Sequence, residues 1–143
     1  MFDNRIEKIK NSLLTLAPDI FGKSPVLFAY LYGSYATGLV HPFSDLDIGI
    51  YVDKMSRRQC LELELSLALE IDEKVGGGVT CEVRIMNNLP LLVIGKVVTE
   101  GILIFSRNDI IRVAFETSVR SAYFDFLPVL HRYQSTYIES IVS

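Results

Sequence analysis

Residues Tyr30–Ile50, YLYGSYATGLVHPFSDLDIGI, decide the fold. They set a Gly33-Ser34 pair at the end of one apolar run and two carboxylates, Asp45 and Asp47, at the start of another. The first run, Val26–Tyr32, follows Pro25 and is rich in branched and aromatic side chains, which predicts a buried strand. The second, Leu46–Val52, alternates. Leu46, Ile48, Ile50 and Val52 face one way, and Asp45, Asp47, Gly49 and Tyr51 face the other. Successive strand side chains point to opposite faces, so Asp45 and Asp47 project to the same side with Cα atoms ~7 Å apart. One face is core and the other carries acid.

Upstream, Ile6, Ile9, Leu13 and Leu16 recur at helical steps, which predicts an amphipathic helix from Asp3 to about Leu16, with Pro18 ending it. Downstream, Ser56 is placed to cap a helix to about Lys74, its inner side expected to include Leu61, Leu65, Ala68, Leu69 and Asp72. The run Gly76–Gly78 ends it. A third alternating strand is expected over Val79–Met86, turning Cys81, Val83 and Ile85 inward and Thr80, Glu82, Arg84 and Met86 outward. Asn87 or Asn88 would cap a short helix through Val98 with Pro90 in its first turn, and Ile102–Ser106 reads as a fourth strand. A C-terminal helical segment, about 108–141, should start at Asn108 or Asp109. Its inner line would include Phe115, Val119, Ala122, Phe126 and Tyr133, with a kink or break at Pro128. The expected fold is α/β (α+β): a mixed sheet of about four strands with helices packed against one face and a long C-terminal helix.

The chain has 143 residues and is 50% hydrophobic, which suits one domain, 1–143, with a real core. A net charge of −3 argues against a general basic surface, and direct nucleic-acid binding is not expected. Two cysteines, Cys60 and Cys81, are too few for a disulfide framework, which fits a cytoplasmic location. No stretch is long and apolar enough to span a membrane.

The acidic strand face suits magnesium, a hard cation that prefers oxygen ligands and commonly shares carboxylates with nucleotide phosphates. Two such ions ~4 Å apart can hold the attacking and leaving oxygens of a phosphoryl-type displacement. Glu82, on the polar face of a neighbouring strand, is the candidate third carboxylate. A glycine directly after a strand lets backbone N–H groups approach a phosphate, and the Ser34 hydroxyl adds a donor. Each feature has a plain alternative when read alone. The two aspartates are equally a solvated strand end, and Gly-Ser an ordinary tight turn.

Together, Gly33-Ser34, ten intervening residues and Asp45-Leu46-Asp47 resemble the GS-x10-DxD signature of the DNA polymerase β-type nucleotidyltransferase superfamily. The order of elements, the acid at Glu82 and the tail Tyr123–Gln134, YFDFLPVLHRYQ, are similar to a minimal nucleotidyltransferase (MNT) antitoxin, the partner of a HEPN-domain ribonuclease toxin. The resemblance implies that Gly33 and Ser34 bind triphosphate oxygens and that Asp45, Asp47 and Glu82 hold Mg2+, as two ions. It implies transfer of AMP from ATP to a tyrosine of the toxin, within a hetero-oligomer. Two departures stand out: Thr37 lies where many relatives carry a basic residue, and Glu82 where aspartate is common. Transfer to a small molecule, and an antitoxin that acts by occlusion alone, remain alternatives.

His41, inside the signature loop, is a candidate nucleotide contact or an exposed loop residue. Arg84 shares the face of Glu82 and is expected in a surface ion pair rather than on phosphate. His131 has no cysteine or histidine cluster beside it that would suggest zinc. Tyr123, Phe124, Phe126, Tyr133 and Tyr137 form either core or a docking face for the partner.

Overall fold

The computed structural model describes residues 2–40 and 44–142. Helix α1 (Phe2–Gly22) leads into strand β1 (Val26–Tyr32), the short helix α2 (Ser34–Thr37) and strand β2 (Leu46–Val52). Helix α3 (Arg57–Val75), strand β3 (Cys81–Ile85), helix α4 (Leu91–Glu100), strand β4 (Ile102–Ser106) and helix α5 (Asp109–Val142) follow. The four strands form one mixed sheet in the order β3-β2-β1-β4. β1 runs antiparallel to β2 and β4, while β2 and β3 are parallel, joined through α3.

The alternation read in β2 holds, since Leu46, Ile48, Ile50 and Val52 are all buried in a core with α1 and α3. The other face is covered too, which corrects the expectation of helices on one side only. Phe28 stacks on Tyr51 with ring centroids 4.6 Å apart, and Phe115 of α5 packs 5.4 Å and 5.0 Å from those two rings. Met86 and Val97 complete this second cluster. A bulge between Val26 and Phe28 sends these two residues into different cores although they stand two apart.

Several boundaries differ from the sequence reading, each for a packing reason. α1 continues through Pro18. An interior proline costs a helix about 3 kcal/mol, but burying Ile20 and Phe21 beyond it returns roughly 1.5–3 kcal/mol each. Both side chains are fully buried. The end of α1 lacks a basic residue of its own, and Arg107 supplies the positive charge from after β4. Its Nη2 donates to the carbonyls of Phe21, Gly22 and Ser24 at 2.7–2.9 Å.

α3 begins at Ser56 as expected, with a reciprocal capping box to Gln59. Its inner face is only partly as expected: Ala68 and Asp72 lie on it, and the three leucines do not. Leu61, Leu65 and Leu69 are more than half exposed, and Leu67 and Ile71 are the buried pair. The orientation follows from two side chains on the sheet side. Glu64 Oε2 accepts the Ile85 N–H at 2.9 Å, and Asp72 Oδ1 accepts the Cys81 N–H at 2.7 Å. β3 is an edge strand, so α3 satisfies backbone donors that the sheet leaves free.

β3 stops at Ile85, and Met86, in a short 3-10 turn, lies on the face opposite Cys81, Val83 and Ile85 as expected, but is buried there because that face is covered. Asn87 does not cap α4. Its side chain accepts from the Val52 N–H and donates to the Val52 carbonyl, pinning the end of β2, and Pro90 takes the N-cap position. Asn108 does cap α5, accepting the Ile111 N–H at 3.0 Å. Pro128 does not break α5. Its inner line is Phe115, Glu116, Val119 and Tyr123, whereas Ala122, Phe126 and Tyr133 are exposed. Tyr123 lies against Gly95 of α4, where a Cβ would come within 2.1 Å of the ring. Tyr123 is therefore core. Phe124, Val129 and Tyr133 remain as exposed apolar residues of α5, and the Tyr137 side chain lies outside the described residues.

Candidate active site

The first apolar run ends where the chain must turn sharply. Gly33 adopts φ 71° and ψ −152°, a conformation that an L side chain resists, and α2 begins at Ser34. The first N–H groups of a helix have no partner within it, so those of Ser34 and Tyr35 face out of the turn. Ser34 is half-buried and Tyr35 is buried beneath it. The Thr37 hydroxyl donates back to the Gly33 carbonyl at 3.3 Å, which closes the turn on itself.

The sheet register carries the acids to this turn. Tyr32 and Asp47 are opposite partners in the β1–β2 ladder, and Asp47 and Glu82 are partners in the β2–β3 ladder. The contact is close: a Cβ on Gly33 would stand 2.5 Å from Asp47 Oδ2. Glycine is required here twice, for its backbone conformation and for the space beside the carboxylate. Asp45 is exposed just before β2, and Glu82 points away from the core at 48% side-chain exposure. The Glu82 carboxylate pairs with Arg84 at 3.0 Å, the ion pair expected for that arginine.

Burial pushes the Asp47 carboxyl up to about 6 from its usual 3.8, and the charges of Glu82 and then Asp45 add to it, while Arg84 opposes the shift. Tyr32 is also raised, first by burial and then by Asp47. Burial, then the charge of Asp72 and after it those of Asp47, Glu82 and Asp45, lifts the Cys81 thiol to about 12, so Cys81 is a packed apolar residue rather than a nucleophile. Among the described residues no three acidic, histidine or cysteine side chains are already gathered at ligand distance, Glu82 being engaged with Arg84. The donor set nevertheless fits a hard cation: carboxylate oxygens on and beside neighbouring strands, one of them made reluctant to ionise by burial and then by the other two.

Of the residues singled out by sequence, Gly33, Ser34, Asp45, Asp47, Glu82 and Arg84 thus meet at one end of the sheet. His41 lies outside the described residues, and His131 is exposed on α5, on a different element from any of them. Two participants had escaped notice. Tyr32 faces the acids because it shares a strand face with Phe28 and Tyr30, and the register with β2 was its only signal. Lys96 of α4 lines a cavity that reaches Gly33, and nothing local in sequence announces that approach.

The family described as "Polymerase beta, Nucleotidyltransferase" matches residues 17–110. No curated protein matches the sequence. Among solved structures, the chain is similar to one in a toxin-antitoxin crystal structure with AMP-PNP, at 19% identity and a TM-score of 0.59, covering 93% of this chain and 98% of that one. It is also similar to one in a complex of tri-AMPylated Shewanella oneidensis HEPN toxin with MNT antitoxin. There the identity is 19% and the TM-score 0.57, over 96% and 99% of the two chains. A third, in the MntA-HepT toxin-antitoxin complex, has 16% identity and a TM-score of 0.55, over 94% and 97%.

Proposed function

The chain belongs to the polymerase β nucleotidyltransferase family, and from that premise we propose that it is an MNT antitoxin. In this reading one domain, 1–143, is a magnesium-dependent adenylyltransferase that moves AMP from ATP to a tyrosine of a HEPN ribonuclease toxin in the cytoplasm. The observation that carries the reading is the contact between the phosphate-type turn and the acid strand, with Gly33 directly against Asp47. The complexes of similar fold, one with AMP-PNP and one with an AMPylated HEPN toxin, support the nature of donor and acceptor.

Gly33 and Ser34 bind triphosphate oxygens through backbone N–H groups and the hydroxyl. Asp45, Asp47 and Glu82 would hold Mg2+, as two ions, which when bound neutralise phosphate charge and favour displacement at the α-phosphorus. The tyrosine oxygen forms a bond to that phosphorus as the bond to pyrophosphate breaks, and the phenolic proton passes to Glu82. Arg84 must release Glu82 for this, and its own place beside Asp47 then leaves a positive charge near the phosphates. The partner docks on exposed apolar residues of α5, with Phe124, Val129 and Tyr133 as anchors.

Mass spectrometry of the toxin after incubation with this protein, ATP and magnesium tests the reading. An added AMP on tyrosine is expected, lost with Asp45→Asn and Asp47→Asn together while the complex still forms. Full protection of cells by that double variant, with no AMP transferred, would replace catalysis by occlusion.

A further inference from the structure

Helix α3 carries a row of leucines on its outer side. Leu61, Leu65 and Leu69 recur every fourth residue and are 54%, 66% and 68% exposed. Residues at this spacing form one continuous ridge along a helix. We propose that this ridge is the contact through which two copies of the chain pair, their α3 helices packed antiparallel about a twofold axis at Leu65.

The charges on α3 select that partner. Arg58 is paired with Glu62, and Glu70 with Lys74 and Lys23, while Glu64 and Asp72 accept N–H groups of β3. Among the described residues, Arg57 and Glu73 are the charged side chains of the helix that make no hydrogen bond or ion pair. Both are exposed, and they continue the leucine row at its two ends, eight positions before and after Leu65. Each also stands where its own helix opposes it. The N-terminal end of a helix disfavours a cation and the C-terminal end an anion, yet Arg57 opens the first turn of α3 and Glu73 lies in the last.

A second α3 laid antiparallel supplies what both charges lack. A twofold at Leu65 sets Leu61 against the partner's Leu69 and brings Arg57 to the partner's Glu73 at both ends of the ridge. Each arginine then also meets the negative end of the facing helix. A parallel pair would oppose arginine to arginine and glutamate to glutamate, which like-charge repulsion disfavours. The ridge is about 12 Å long from Leu61 to Leu69, at about 1.5 Å per residue. So short a contact makes a small interface, and small interfaces belong to reversible pairs rather than obligate dimers. α3 packs on the opposite side of the sheet from α4 and α5, so pairing leaves the exposed apolar residues of α5 free.

Sedimentation velocity on the full chain, from low micromolar to near-millimolar concentration, tests this. The parent should pass from monomer to dimer and go no further, since a twofold contact closes on itself. Leu65→Glu sets two like charges on the axis and should leave a monomer, with an unchanged circular dichroism spectrum because the position is exposed. Arg57→Glu and Glu73→Arg should each weaken pairing about tenfold, as two exposed attractive pairs become repulsive, and the two swaps together should restore it. Both swaps agree with the helix dipole, so neither unfolds α3. A parent that stays monomeric at every concentration overturns the proposal, as does a double swap that pairs no more tightly than the single ones, the result of a parallel or nonspecific contact. A HEPN toxin whose binding to a monomeric chain is lost with Leu65→Glu overturns it too, and assigns the ridge to that partner.

Discussion

Replacing Asp47 with asparagine should stabilise the magnesium-free protein while destroying its activity. In the fold the Asp47 carboxyl sits at about 6 instead of 3.8, because burial and two neighbouring carboxylates oppose its ionisation. A raised carboxyl means that the folded state binds the proton more tightly than the unfolded state. The associated stability is therefore present below about pH 4 and is lost as pH rises through about 6. At ~1.4 kcal/mol per tenfold change in proton affinity, the ionised carboxylate costs at most about 3 kcal/mol near neutrality. Asp47 is only partly buried, and screening reduces the figure to about 1 kcal/mol, or about 3 °C in melting temperature for a chain of this size. Asparagine keeps the shape and removes the charge. Thermal unfolding with a chelator present should show the variant melting higher at about pH 8, with the gap narrowing toward about pH 4. Magnesium should then raise the melting temperature of the parent and leave that of the variant nearly unchanged. A variant that melts lower than the parent at alkaline pH, or a gap that ignores pH, would refute the electrostatic account of the site.

Three further outcomes test the frame around it. Gly95→Ala should destabilise the protein by about 1–3 kcal/mol in urea unfolding, although alanine is the better helix former by about 1 kcal/mol, since its methyl would meet the Tyr123 ring. Glu116 is buried between the Tyr30 hydroxyl, which donates to it, and Arg112, 2.9 Å away. Glu116→Ala should cost about 3 kcal/mol by stranding the Tyr30 hydroxyl and leaving Arg112 with Asp109 alone, and Tyr30→Phe about 1–2 kcal/mol, measured by the same unfolding titration.

The strands and the short-range part of the site were legible in the sequence because both are local. Alternation in Leu46–Val52 reports which side of a strand is dry, and the spacing of Gly33, Ser34, Asp45 and Asp47 spans one turn between two adjacent strands. Glu82 was found through its own strand, but its pairing opposite Asp47 is a property of the sheet register. What lay beyond reach depended on partners distant in the chain. α3 carries leucine at 61, 63, 65, 67 and 69, so apolar residues surround the helix and periodicity cannot choose a face. The choice was made by Glu64 and Asp72 bonding to the edge strand. α1 passes Pro18 because the burial of Ile20 and Phe21 offsets the lost backbone bond, a comparison that needs the core to exist. The second covered face, the burial of Tyr123 and the cavity beside Gly33 arise in the same way, from α4 and α5 folding over the aromatic side of the sheet. Local pattern tells which atoms avoid water, and only tertiary packing tells which other atoms they meet.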